Sequence, residues 1–442
     1  MEMLYQYIWK YGLAGTDLRT IDGRRIEVLR PGRHNSDAGP DFTGARLRID
    51  GVEWGGNVEV HVRASDWFRH HHEEDTAYSN VILHVVGISD TRVPDGRGSH
   101  IPQTLITFPE SFIRLYGRLA EKIKAVTCED MLGALPPLVV SDWLGTLTVE
   151  RMQVKARRIT DTYELLGHDW EWTCFAALAR ALGFGLNSEP LEMLARMVPP
   201  RLLSKHSDNM QQLEALLMGQ AGLLDPAVNI YDTYYQNLCR EYMFLSRKYQ
   251  LRPMRRDMWK FSRTRPQNFP TRRIAILARA AADGFSLLSR ITSRSFGEEE
   301  ARELFGWHLD GYWLEHFDFG VPGTRLPSAL SRNNIDLLLI NFVAPLLYAY
   351  GTVRSDPEVA ERGLDLWYGL DAENNGIIRQ WRAAGLPAAC AADSQAMLQL
   401  RNEYCERHRC LECRFGHALL RRESRAVKSV YMTGKPQEGV LF

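Results

Sequence analysis

The sequence predicts an α+β protein, with a mixed α/β sheet domain over residues 1–110 and a large, mostly α-helical region over residues 111–442. Three observations carry this. Strand-like runs at Arg25–Leu29, Phe42–Ile49, Val58–Val62, Asn80–Val86 and Thr104–Thr107 fill the first quarter, separated by Gly, Pro, Asn and Asp. From about Pro109 onward, apolar residues recur at three- and four-residue spacing. The composition, 45% hydrophobic and 24% charged over 442 residues, is that of a folded chain with a core and excludes general disorder. At roughly 100–200 residues per domain, this length accommodates two to four domains.

Taken in order, the opening MEMLYQYIWKYG reads as an amphipathic helix. Glu2, the absence of a basic leading segment and Lys10 within the apolar stretch set it apart from a signal peptide. The run VILHVVG is nearly continuous and apolar, as expected of a central strand covered on both faces. Helices are expected at Trp143–Ile159, Trp170–Leu182, Gln211–Gly222, Tyr231–Tyr249, Ile274–Leu288 and Glu298–Leu304. The strongest apolar run, Ile335 to Tyr350, contains Asp336, Asn341 and Pro345. It falls short of the roughly 20 residues of a membrane span and is expected to be a buried core helix. No membrane role is expected. No disulfide framework is expected of seven cysteines without an export signal, which points to a reducing, cytoplasmic setting.

Residues 37–67, DAGPDFTGARLRIDGVEWGGNVEVHVRASDW, hold the candidate metal site. Gly39-Pro40-Asp41 opens one strand, and Glu59-Val60-His61 lies on the next, after a turn at Asp50-Gly51. Antiparallel pairing would bring Asp41 and Glu59 together. Strand alternation puts Glu59, His61 and Arg63 on one face and Val58, Val60 and Val62 on the other. A pair of carboxylates suits Mg²⁺ or Mn²⁺, and such an ion polarises a phosphoryl oxygen. Arg63 or Arg46 is placed to stabilise charge on phosphate. Downstream, the Arg69-His70-His71-His72-Glu73 run reads as a solvated loop, with His72 and His84 as supporting groups, and His34 and Asp37 lie close in sequence to Asp41.

On these residues the N-terminal quarter resembles the PD-(D/E)XK nuclease superfamily, which implies a restriction-endonuclease-like sheet. Asp41 resembles the aspartate of its first motif and Glu59 the acid of its second. The motif lysine is replaced by His61. The resemblance implies a metal held by Asp41 and Glu59, with His61 orienting water or acting as base. Over almost its full length the chain also resembles a bacterial family of unknown function, a resemblance that implies no particular activity.

Near the C-terminus, Cys405, Cys410 and Cys413 form a C-x4-C-x2-C pattern whose thiolates suit zinc or an iron–sulfur cluster. A fourth ligand is sought among Cys128, Cys390 and His408, with Cys128 preferred. Some PD-(D/E)XK nucleases are similar in holding an iron–sulfur cluster by one remote and three clustered cysteines.

Residues 247–273, RKYQLRPMRRDMWKFSRTRPQNFPTRR, carry ten basic residues and one acid, Asp257, with aromatic residues interleaved. Cations neutralise phosphate and aromatic faces stack on unpaired bases, so Arg255, Arg256, Lys260, Arg263 and Arg265 are candidate DNA or RNA contacts. The competing reading is a helix with a solvated basic face, ended by Pro266. The formal net charge of zero, 54 basic against 54 acidic residues, does not oppose a local basic surface.

Two functions are therefore expected from the sequence: a metal-dependent nuclease acting on DNA or RNA, or a non-catalytic nucleic-acid-binding or scaffold protein with a degenerate nuclease fold and a structural metal. The chain has no GxxxxGK[ST] P-loop, GxGxxG dinucleotide fingerprint or GxSxG elbow, which disfavours an ordinary ATPase, dehydrogenase or α/β-hydrolase.

Overall fold

The computed structural model describes residues 2–422 except 15–16, 36–37, 96–98, 109, 121–125, 127, 229 and 325. Asp37 therefore lies outside the described residues. The chain divides into two compact units, residues 1–143 with the segment from Arg401 onward, and Leu144–Leu400. The change of character expected near residue 110 falls inside the first unit, which also takes in helix α3 (Glu110–Ala120) and the described C-terminal residues.

The first unit opens with α1 (Glu2–Lys10), whose Leu4, Tyr7, Ile8 and Trp9 are buried. Seven strands follow: β1 (Leu18–Arg19), β2 (Arg25–Arg30), β3 (Arg33–His34), β4 (Phe42–Ile49), β5 (Val52–Arg63), β6 (Val81–Ile88) and β7 (Gln103–Leu105). Their order is β1-β2-β4-β5-β6-β7, with β3 pairing β4. β4 and β5 run antiparallel, and β5–β6 and β6–β7 are parallel, so the sheet is mixed. It curls until its two ends meet: Thr20 bridges Thr104, and Thr104 Oγ1 donates to the Arg19 carbonyl at 2.7 Å. This near-closure leaves the first and last strands with little free edge.

One face of the sheet is a conventional core. Leu47, Val58, Val60, Leu83 and Val85 are fully buried there with Leu4 and Ile8 of α1 and Phe112 of α3. Each such side chain contributes about 1.5–3 kcal/mol of burial. The opposite face carries polar residues, and Glu59, His61 and His84 there are nearly as buried as the valines beside them. The cause is topological. Parallel strands cannot be joined by a tight turn and need a crossover connection. The β5–β6 crossover carries α2 (Asp66–Arg69) and the turn Thr76–Tyr78, and Trp67 and Tyr78 pack beneath it with Val93 and Ile101.

The second unit is helical. It includes most of α4 (Pro137–Leu165), then α5 (Trp170–Leu182), α6 (Ser188–Met197) and helices at Met210–Gln220, Thr233–Tyr249 and Pro270–Ala282. The helix expected over Ile274–Leu288 stops at Ala282, with Gly284 at φ 86°, and a second short helix begins at Leu287. Arg332–Arg354 is long and apolar enough to cross a membrane, but 67% of its apolar window is buried in the unit, as expected of a core helix.

Candidate metal centre

The β4–β5 register sets the first pair of residues. Phe42 lies opposite Val58, so Asp41 falls beside Glu59. The Asp41 N–H donates to Glu59 Oε2 at 3.0 Å, and Asp41 Oδ2 accepts from the Val60 N–H at 3.1 Å. Gln6 of α1 donates to Asp41 Oδ1 at 2.8 Å. Burial and the nearby Glu59 raise the Asp41 carboxyl well above the ordinary range. The two acids expected to meet are thus neighbours. Both Asp41 oxygens are already met by protein N–H donors, which ties this carboxylate to the β4–β5 turn-in.

Glu59 is where the other groups gather. Its Oε1 lies 3.4 Å from His61 Nε2 and 3.3 Å from His72 Nε2. His61 Nδ1 is 2.9 Å from His84 Nε2 on the paired strand, and His84 Nδ1 is 3.4 Å from Gln103 Nε2. Gln103 is fixed by donating to the Thr91 carbonyl at 3.1 Å and accepting from Ser89 Oγ at 3.1 Å. In the tautomer that suits a metal, His61 donates through Nδ1–H to His84 Nε2 and leaves its Nε2 lone pair free beside Glu59. Burial, reinforced by His84 and His72, holds His61 down to about 2, and burial with His72 holds His84 down to about 3. Both rings are neutral at physiological pH, which is the form that ligates metals.

The histidine run completes the group. Ligand atoms of His61, His70 and His72 all lie within 4.8 Å of one another. His70 was expected to sit in a solvated loop. It remains exposed but joins this group because His71 takes φ 59°, a left-handed turn that leaves its own ring outside while its neighbours converge. His72 stacks on Tyr78 at a ring separation of 3.8 Å. A cavity of about 500 Å³ opens beside it, lined by Trp54, Trp67, His72, Tyr78 and His100 among others. The buried Trp67 Nε1 has no hydrogen-bond partner among the described residues.

Arg63 does not join the group. Its guanidinium is exposed and faces Asp90 at 3.6 Å, while Arg46 pairs with Glu53 across β4–β5.

The four cysteines Cys128, Cys405, Cys410 and Cys413 all belong to the first unit. Burial raises each thiol, Cys128 to about 12 and Cys410 to about 11, and neighbouring members of the group raise Cys128, Cys405 and Cys410 further. His408, in the loop between two of them, has a buried Nδ1 with no partner among the described residues. Cys390 belongs to the other unit.

The basic segment is not a helix. Gln250 ends the preceding helix in a left-handed conformation, and residues 251–269 are irregular apart from short turns at Arg256–Met258 and Pro266–Asn268. Arg255, Arg256, Lys260, Arg263 and Arg265 are exposed. Trp259, expected to offer a stacking face, is instead buried, with its Nε1 donating to the Ala221 carbonyl at 2.8 Å. Arg272 and Arg273 are also buried, the first bonded to the carbonyls of Trp313 and Pro327 and the second to Asn268.

The model of the family described as "Protein of unknown function (DUF2851)" matches residues 2–376. The chain belongs to that family. The match takes in the whole sheet of the first unit, the histidine group and the basic segment, and ends before Cys405. No curated protein and no solved structure matches this DUF2851 chain.

Proposed function

We propose that the sheet unit is a metal-dependent phosphodiesterase acting on DNA or RNA, with its ion on the histidine group and not on the Asp41–Glu59 pair alone. The observation that carries this reading is the convergence of His61, His70 and His72 within 4.8 Å beside the Glu59 carboxylate. Neutral imidazoles with one carboxylate suit Zn²⁺ or Mn²⁺ better than Mg²⁺, which prefers all-oxygen ligands. Such an ion supplies Lewis acidity toward a phosphoryl oxygen and lowers the pKa of water. His84 and Gln103 orient His61, Asp41 orients the Glu59 strand end, and Trp67 and Tyr78 wall the cavity. His61 Nε2 lies 3.4 Å from Glu59 and within the histidine group, so His61 serves as ligand. The exposed cations of residues 255–265 are the proposed contacts to the phosphate backbone.

A second reading has its own support. Both Asp41 oxygens are occupied by N–H donors, as in a nuclease fold that has lost catalysis and keeps a structural metal. Metal analysis of purified protein, with plasmid and RNA cleavage assayed in Zn²⁺, Mn²⁺ and Mg²⁺, separates the two. Cleavage in Zn²⁺ or Mn²⁺ that is lost in His72→Ala and Glu59→Gln supports the enzyme. Salt-sensitive binding without cleavage supports the inactive form, and neither binding nor cleavage rejects both.

The four thiols fit a metal for a separate reason. Buried cysteines raise one another, with Arg401 only partly opposing this at Cys405, and His408 has a buried nitrogen without a partner among the described residues. A tetrahedral zinc would hold its sulfurs at about 2.3 Å from the ion, and so within about 4 Å of one another. Among the described residues the thiols are not one of the groups that converge within 4.8 Å. The proposed occupant is an iron–sulfur cluster, with zinc as the alternative. A visible absorption spectrum with iron and sulfide analysis tests it, and stoichiometric zinc without iron would reject it.

A further inference from the structure

The helical unit carries a groove that this reading does not use. Two adjoining cavities of about 470 and 710 Å³ share Arg158, Thr162, Arg180, Gly185 and Glu192. These volumes fall in the usual range of small-molecule sites, roughly 300–1,000 Å³. Arg151, Lys155 and Arg158 stand four and three residues apart on α4 and so share one helix face. Arg180 of α5 faces them, and Arg196 of α6 and Lys260 line the outer cavity.

The cations are only partly neutralised. Arg180 is paired with Glu192 at 2.6 Å, and Glu373 is held by the Gln395 amide. Lys155 reaches Asn341, a neutral partner. Among the described residues, neither Lys155 nor Arg158 forms an ion pair. Burial, with Arg151, Arg158 and Arg180 close by and Glu373 opposing, pulls Lys155 down to about 7. Partial burial and Arg180 lower Arg158 as well, with Glu192, Glu189 and Asp161 opposing. Cations crowded so that they disfavour one another's charge are relieved by an anion. Beside them, Ile159, Ala177, Ala181 and Leu337 give the inner cavity an apolar wall.

We propose that this groove binds a compact polyphosphate of the nucleoside di- or triphosphate class, with phosphates on Lys155 and Arg158 and the base on the apolar wall. The clamp consists of side chains, in keeping with a sequence that has no P-loop. The site stands whether or not the histidine group holds a metal.

Calorimetry on the full chain tests it, with ATP, inorganic triphosphate and a single-stranded oligonucleotide as probes. Saturable binding of ATP and triphosphate is expected. Arg158→Ala, at an exposed position, and Lys155→Ala should each weaken it about tenfold or more, as loss of a charge-assisted contact does. Lys155→Arg should retain most of the affinity, and Arg294→Ala, at an exposed site elsewhere, all of it. Thermal melts establish that each variant is folded, and Arg158→Ala decides the matter if Lys155→Ala does not fold. The proposal is overturned by absence of saturable binding, or by folded variants that bind both anions like the parent. It is also overturned if the groove takes the oligonucleotide and triphosphate does not compete, which would make it a nucleic-acid track.

Discussion

The two units gather polar side chains in opposite ways. In the sheet unit, imidazoles converge beside one buried carboxylate, so the site has room for a cation. In the helical unit, six cations line a half-open groove beside four acids, Asp161, Glu189, Glu192 and Glu373, so the site has room for an anion. Both arrangements cost stability, because neutral histidines and crowded lysines are held away from their preferred protonation. Polar groups placed against their own preference mark candidate sites better than any single residue type does.

Four substitutions or titrations would break or sharpen that contrast. The largest effect is expected from Glu59→Gln or His72→Ala, which should remove the bound metal outright while the groove's anion affinity stays unchanged. Elemental analysis beside calorimetry reads both. Next, Trp259→Ala should cost about 3–5 kcal/mol of helical-unit stability as a large buried side chain, whereas exposed Lys260→Ala should change it by about 0.5 kcal/mol or less. Urea unfolding followed by circular dichroism would show whether the basic segment is anchored by its tryptophan.

Acid should weaken the sheet unit specifically. His61 and His84 have folded values below their unfolded value of about 6.5. The unfolded chain therefore binds more protons, and stability falls as pH drops below about 6.5, by up to about 1.4 kcal/mol per pH unit for each histidine. Asp41, raised in the fold, acts in the opposite sense below its own folded value and offsets part of the loss. His84→Gln should remove one histidine's share of the slope, and a slope unchanged in that variant would contradict the burial argument. The smallest effect belongs to the exposed cations. Each of Arg255→Ala, Arg256→Ala, Arg263→Ala and Arg265→Ala should lower the salt dependence of oligonucleotide binding by somewhat under one unit of log–log slope.

Much of the sheet was legible in the sequence, because turn residues bracket β2, β4 and β6 closely and β6 is a nearly continuous apolar run. The pairing of Asp41 with Glu59 was legible too, since a hairpin turn at Asp50-Gly51 fixes the register. The histidine group was not. It depends on a parallel crossover folding back over its own sheet and on a positive φ at His71, neither of which leaves a periodic signal. The burial of Trp259 was hidden for a similar reason: an aromatic residue among arginines reads as surface until the irregular chain around it is seen to dip into the helical core. The groove was invisible because the residues that face Lys155 and Arg158, such as Arg180, Ala177 and Leu337, come from other helices whose packing the sequence does not state.

The central claim is that the imidazoles of His61, His70 and His72 share one ion beside Glu59. Anomalous diffraction from a crystal soaked in Zn²⁺ tests it most directly. A single peak at about 2.0–2.1 Å from all three rings is the result the account predicts. A peak confined to the Asp41 and Glu59 carboxylates, or no peak in that part of the sheet unit, would contradict it.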